Sequence, residues 1–112
     1  MRVAALGAPS GLGALLDGAP LRTRLRGSFE VVLLFSTSRA RLARRLDAGV
    51  AALAPRGALW LAWPKRSSGL STDLDDRAVR ALGLATGLVD NRVCAIDATW
   101  SALRFVHRRT GR

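Results

Sequence analysis

Two short runs constrain this chain most: Glu30-Val-Val-Leu-Leu-Phe35, apolar after its first residue, and Ala58-Leu-Trp-Leu-Ala-Trp63, apolar throughout. A strand with one wet face would place a polar residue at every second position; continuous apolar runs of this length are expected where both faces are covered. Between the runs lies a helical pattern from Arg39 to Leu53. Leu42, Leu46, Val50 and Leu53 share one side of it, and Arg41, Arg44 and Arg45 point away. Ser36-Thr37-Ser38 supplies N-cap chemistry just ahead of it. Buried strand, helix, buried strand is the pattern of two parallel strands joined by a crossover.

The flanks extend this pattern. Pro55 and Gly57 are expected to end the helix and turn the chain into the Ala58–Trp63 strand. Lys65–Ser71 reads as a polar loop. Thr72 and Asp75 have capping-box spacing, with Asp73, Asp75 and Asp76 in the first turn of a helix that buries Leu74, Ala78, Leu82 and Ala85. Gly87 is its expected terminator. Strands over about Arg92–Ile96 and Leu103–Arg108 follow, with a turn at Asp97–Ser101 between them. Upstream, Arg2–Leu6 reads as a strand, Ala8–Gly13 as a glycine-rich connection and Ala14–Asp17 as a short helical segment. Leu21–Arg26 alternates with period two, which places Arg22, Arg24 and Arg26 on one face, as in an edge strand. The whole predicts an α/β, three-layer sandwich over residues 1–112, with a mostly parallel sheet and an antiparallel C-terminal strand.

Bulk properties bound the function. A chain of 112 residues has room for one core. At 49% hydrophobic and 23% charged residues it is composed like a soluble globular protein. Its apolar runs are far below the roughly 18 residues of a membrane span, and its N-terminus has too little apolar length for a signal peptide. Both point to the cytoplasm, as does the lone Cys94. Eighteen basic residues against eight acidic ones give a net charge of +10. Lys65 is the only lysine. An arginine excess of this kind accompanies GC-rich coding, yet it still favours attraction to polyanions. The strip of Arg22, Arg24 and Arg26 is the candidate nucleic-acid contact. The arginines are otherwise scattered, which suits a solvated surface.

The element order, with Pro55-Arg-Gly57 ahead of a central strand and an antiparallel hairpin at the end, resembles the class I methyltransferase form of the Rossmann fold. Residues 30–109 carry that resemblance. The combination of Leu6-Gly-Ala-Pro9, Trp63-Pro-Lys65, Ser68-Gly69, Thr72-Asp73 and Thr99-Trp-Ser101 is similar to a small bacterial family of unknown function numbered 3052. The resemblance implies a Rossmann-like fold and lends no established activity.

In such a sheet, ligands bind beyond the carboxyl ends of the parallel strands. That edge would gather the Gly7, Pro9, Gly11 and Gly13 loop, Ser36, Trp63, Lys65, Asp97 and Trp100. The glycine loop departs from G-x-G-x-x-G. The acid that would follow about 20 positions on is replaced by Arg26-Gly27-Ser28. The acid that the methyltransferase comparison implies before the loop is replaced by Ala5 or Leu6. These departures favour a tight structural turn. Trp60 and Trp63, three apart, fall on opposite strand faces; both read as packing, with Trp63 the better placed for a ligand. Asp73 is expected to serve its own helix, and His107 to be packing or surface. One histidine and one cysteine cannot make an ordinary zinc site, and no nucleophile elbow or P-loop is present.

The resulting reading is a small Rossmann-like module that leans away from catalysis. It would need no cofactor and would bind a small anionic ligand or a protein partner. The alternatives are an S-adenosylmethionine-dependent transferase with an atypical cofactor loop, using Lys65 or Asp97, and a basic nucleic-acid-binding protein. A homodimer through an edge strand or Trp100 is a further expectation.

Overall fold

The computed structural model describes residues 2–7, 21–22 and 27–108, with residues 21–22 described as backbone only. The elements are β1 (Val3–Leu6), β2 (Leu21–Arg22), β3 (Phe29–Phe35), α1 (Arg39–Ala51), β4 (Leu53–Pro64), α2 (Asp76–Leu84), β5 (Val89–Ala95) and β6 (Trp100–Val106), with a 3-10 turn at Arg66–Ser68. The helical segment expected at 14–17, and the strand beyond Arg22, lie outside the described residues.

The six strands form one sheet in the order β2-β1-β3-β4-β6-β5. β1 pairs in parallel with β2 and β3, and β3 with β4. β6 then inserts antiparallel between β4 and β5. This is the expected mostly parallel α/β sheet with an antiparallel end. The order reverses at β1, because β2 lies on one side of it and β3 on the other. The crevice beyond the carboxyl ends of β1 and β3 is therefore the topological switch point.

Alternation along the strands separates two cores. Ala4, Val32, Leu34, Leu59, Leu61, Trp63, Leu103 and Phe105 face the side on which both described helices pack. Val3, Ala5, Leu33, Phe35, Ala62, Trp100 and Ala102 form a second buried cluster on the opposite face. α1 contributes Leu42 and Leu46 to the first core. Each fully buried leucine is worth about 2 kcal/mol. Gly49 lets α1 lie close to the sheet, since a Cβ there would stand 3.1 Å from Leu34 Cδ1. Gly83 does the same for α2 more severely, since an added Cβ would collide with the Phe105 ring.

Several boundaries differ from the sequence reading, each for a local reason. α1 stops at Ala51 rather than Leu53. Pro55 and Gly57 do not terminate it; they lie inside β4. Pairing there jumps from Phe29–Leu53 to Val31–Ala58, so Ala54–Gly57 bulges out of the ladder. Gly57 is required because an added Cβ would stand 2.9 Å from the Phe29 carbonyl oxygen and 3.0 Å from that of Glu30. The predicted Pro-x-Gly turn is thus a bulge that feeds the regular part of the strand. The last two strands each begin three residues earlier than expected, at Val89 and Trp100. Gly87 ends α2 as expected, with φ 93° and its N–H donating to the Leu84 carbonyl at 3.1 Å.

Candidate functional site

The carboxyl edge brings together most of the expected residues, and the fold explains many of them. Gly7 follows β1 with φ 70°, in the left-handed region. An added Cβ would lie 2.5 Å from the Phe35 carbonyl oxygen and 3.2 Å from Arg45 Nη1. The β1 exit therefore presses against the end of β3 under a guanidinium. Helical periodicity puts Arg45 on the wet face of its helix; the structure instead leans it over the switch point, half-exposed. The signal is in the arc: Arg45 is three residues after the buried Leu42 and four before the buried Gly49, so it borders the apolar stripe.

Ser36 begins the next loop. It is 5% exposed, donates from its hydroxyl to the Ser38 carbonyl at 2.8 Å and accepts from Ser38 N–H at 3.0 Å. Its own N–H donates to the Ala62 carbonyl, which ties the loop to β4. Ser38 caps α1 by accepting from Arg41 N–H at 3.2 Å.

The acids expected in the first turn of the second helix divide between two helices. Asp75 is the N-cap of α2, accepting from Ala78 N–H at 2.8 Å. Thr72 is not that cap. Its hydroxyl donates to the Thr37 carbonyl at 2.7 Å and accepts from Leu74 N–H. Asp73 does not serve its own helix; it accepts from Arg39 N–H at 2.7 Å, at the start of α1. The Thr72-Asp73 pair thus straps the 66–75 loop across the Ser36–Ser38 loop. The reason is the helix N-terminus, whose free N–H groups attract a carboxylate from anywhere in the chain.

Trp63 and Pro64 are buried, and Lys65 is half-exposed beyond them. Lys65 N–H donates to the Thr99 carbonyl at 2.7 Å, so the β4 exit is pinned to the β5–β6 hairpin. Asp97 organises that hairpin, its Oδ1 accepting from both Thr99 N–H and Trp100 N–H at 2.8 Å. Its carboxylate thus holds an Asx-type turn. Trp100 does not sit in that turn. It opens β6, is 9% exposed and meets Phe35 edge-to-face at 5.2 Å and 82°. It is core rather than a stacking platform for a ligand.

A groove of about 750 Å³ lies beside this edge on the helix-covered side. Lys65, Trp63 and Asp76 line it, with Leu70 and Val93, which are 48% and 59% exposed. Pro9, Gly11, Gly13, Arg24 and Arg26 lie outside the described residues, and Arg22 is described only as backbone. Among the described residues no group of three metal-ligating side chains occurs. None of their helices is long and apolar enough to cross a membrane.

Comparison with solved structures decides the fold. Magnesium protoporphyrin IX methyltransferase from Synechocystis PCC 6803, solved with S-adenosylhomocysteine, superposes with a TM-score of 0.69 at 10% identity, over 96% of this chain and 74% of that one. The fold is methyltransferase-like. A ribosomal protein L11 methylase from Lactobacillus delbrueckii subsp. bulgaricus gives 0.64 at 11% identity, over 96% and 70%. An O-methyltransferase of neocarzinostatin biosynthesis, in complex with S-adenosylmethionine and a naphthoic acid, gives 0.71 at 12%, over 96% and 49%. No family model and no curated protein sequence matches the chain, so membership of the family numbered 3052 gains no support. The expectation that the chain leans away from catalysis is corrected by these methyltransferase neighbours, of which the protoporphyrin and neocarzinostatin enzymes were solved with S-adenosylmethionine or S-adenosylhomocysteine.

Proposed function

We propose that this chain is an S-adenosylmethionine-dependent methyltransferase with an atypical cofactor edge. The observation that carries the reading is the left-handed turn at Gly7, at the switch point of a methyltransferase-like sheet. A side chain there would collide with the Phe35 carbonyl. That collision accounts for the missing Cβ by packing on β3; what suits a cofactor is the position of the turn, directly beyond the first parallel strand at the switch point. In this respect the residues fit the group that the fold implies.

The fit differs in charge. Where the family resemblance implies an acid before the glycine loop, this chain has Ala5 and Leu6. Arg45 instead reaches over Gly7. A guanidinium suits the methionyl carboxylate through charge-assisted hydrogen bonds, and Arg45 is the residue assigned to it. When bound, the cofactor supplies a methyl group on a sulfonium. Gly7 and Arg45 would hold it at the switch point, beside the Ser36–Ser38 loop. β1 and β4 lie two strand spacings apart, about 10 Å, which leaves the groove of Lys65, Trp63, Leu70 and Val93 for the methyl acceptor. Lys65 would orient that acceptor by charge.

Isothermal calorimetry with S-adenosylmethionine and S-adenosylhomocysteine tests this. Micromolar binding of both is expected, weakened about tenfold or more in Arg45→Ala, as follows from losing a hydrogen bond to a charged group. Absence of binding by either compound at millimolar concentration overturns the reading. Binding that Arg45→Ala leaves intact removes the Arg45 assignment.

A further inference from the structure

At the opposite end of the sheet, the bulge in β4 and the exit of β6 enclose a second groove of about 790 Å³. Arg56, Arg104, His107, Arg108 and Asn91 are among its lining residues, and among the described residues no acid lines it. Arg56, His107 and Arg108 are exposed. Among the described residues the one ion pair joins Arg80 to Asp90, so none of these arginines has a carboxylate partner there. Asp90, the acid nearest the groove on β5, pairs in register with Phe105 and is held by Arg80 at 2.9 Å. It belongs to the helix-covered side.

The groove continues onto the other face of the sheet. Arg104 lies between Leu103 and Phe105, both in the helix-side core, so it points to the opposite face. Register places Trp60 of β4, Arg104 of β6 and Arg92 of β5 in one row across three strands. Arg92 is exposed and Trp60 is half-exposed, with the Arg104 guanidinium 5.9 Å from the indole centroid. Four arginines without an ion pair among the described residues are thus spread over strands about 4.8 Å apart, around a partly open tryptophan.

We propose that this groove and row bind the backbone of a single-stranded nucleic acid. One phosphate would engage one or two of these arginines. Four of them, displaced across and along the strands, match successive charges of a polymer. Guanidinium groups suit phosphate oxygens through paired hydrogen bonds, and the exposed part of Trp60 offers a base a stacking surface. An acidic peptide would satisfy the charges but leave the indole unused. This site is separate from the switch point and does not rest on the methyltransferase reading.

The test is fluorescence anisotropy with a labelled, mixed-sequence single-stranded RNA, titrated at several salt concentrations. Binding is expected to weaken steeply with salt. In Arg56→Glu/Arg108→Glu it should weaken at least tenfold, and the log–log salt slope should shrink by about 1.4, or about 0.7 for each phosphate no longer neutralised. Trp60→Leu should weaken binding about tenfold with little change of slope, as loss of base stacking does. Arg41→Glu/Arg44→Glu, on the exposed face of α1, carries the same change of net charge. If it weakens binding equally, the effect is net charge alone and the site is overturned. Absence of binding at low salt overturns it too, as does equal affinity for polyglutamate with the same dependence on Arg56 and Arg108.

Discussion

The carboxyl edge of the sheet binds its polar side chains to itself, whereas the amino end of β4 leaves its charged ones to solvent. At the carboxyl edge, Ser36, Ser38, Thr72, Asp73, Asp75 and Asp97 all hold backbone groups of turns or helix starts. At the amino end, Arg56 and Arg108 face a groove without an ion-pair partner among the described residues. A hydroxyl or carboxylate near a binding edge therefore says little until its partner is known. The residues left at the carboxyl edge for a ligand are few: the bare backbone of Gly7, the guanidinium of Arg45 and the ammonium of Lys65. The contrast predicts that substitutions at the carboxyl edge lower stability, while those at the amino end leave it nearly untouched.

The largest expected effect is at Trp100. Truncation to alanine removes the edge-to-face contact with Phe35 and opens the second core, so Trp100→Ala should lose about 3–4 kcal/mol in urea unfolding. A loss below about 1 kcal/mol would mean that the tryptophan is peripheral to the core, and the first half of the contrast would fail. Gly7 comes next. Gly7→Ala meets both an unfavourable φ and the Phe35 carbonyl, and about 2 kcal/mol is expected. Gly7→Asn separates the two causes, because asparagine tolerates the left-handed region but still carries a Cβ. If the collision dominates, both variants lose similar stability. If asparagine restores the wild-type midpoint, φ alone is the constraint and the close approach to β3 is not required.

Much of this contrast is hidden in the sequence, for physical reasons. The buried runs at β3 and β4, the stripe of α1 and the antiparallel end are legible because burial leaves a periodic or continuous apolar trace. The bulge at Ala54–Gly57 is not, because Pro and Gly after a helix suit a terminator as well as a bulge. Only the carbonyls of Phe29 and Glu30 distinguish the two. Capping rules are local and assign Asp73 to its own helix, yet its partner is 34 positions away. Period and length alone suffice to place Lys65 and Trp63 at the β4 exit. The row of Trp60, Arg104 and Arg92 escapes detection as a group because cross-strand register is a property of the sheet, not of any one segment.

Asp73 gives the third test. Its carboxylate satisfies the first N–H of α1 and lies at the positive end of that helix. Asp73→Ala should lose about 1 kcal/mol, the usual effect of removing a cap. Asp73→Asn keeps an acceptor without the charge and should fall between. A change below a few tenths of a kcal/mol for alanine would show that solvent replaces the strap, and that the 66–75 loop is not tied to the Ser36–Ser38 loop by this bond.

The smallest expected stability change is the most discriminating. Arg56 and Arg108 are exposed, and no ion pair joins either to another described residue. Arg56→Glu/Arg108→Glu should therefore unfold within about 0.5 kcal/mol of the wild type, as surface substitutions away from packing do. Lowering the net charge of a strongly basic chain relieves repulsion, so any residual change should be toward higher stability at low salt and should vanish as salt screens it. A loss of about 1 kcal/mol or more that persists at high salt would place these arginines in the fold rather than on a free surface. The amino end would then resemble the carboxyl edge, with its charges engaged by the protein itself, and the distinction between the two ends would collapse.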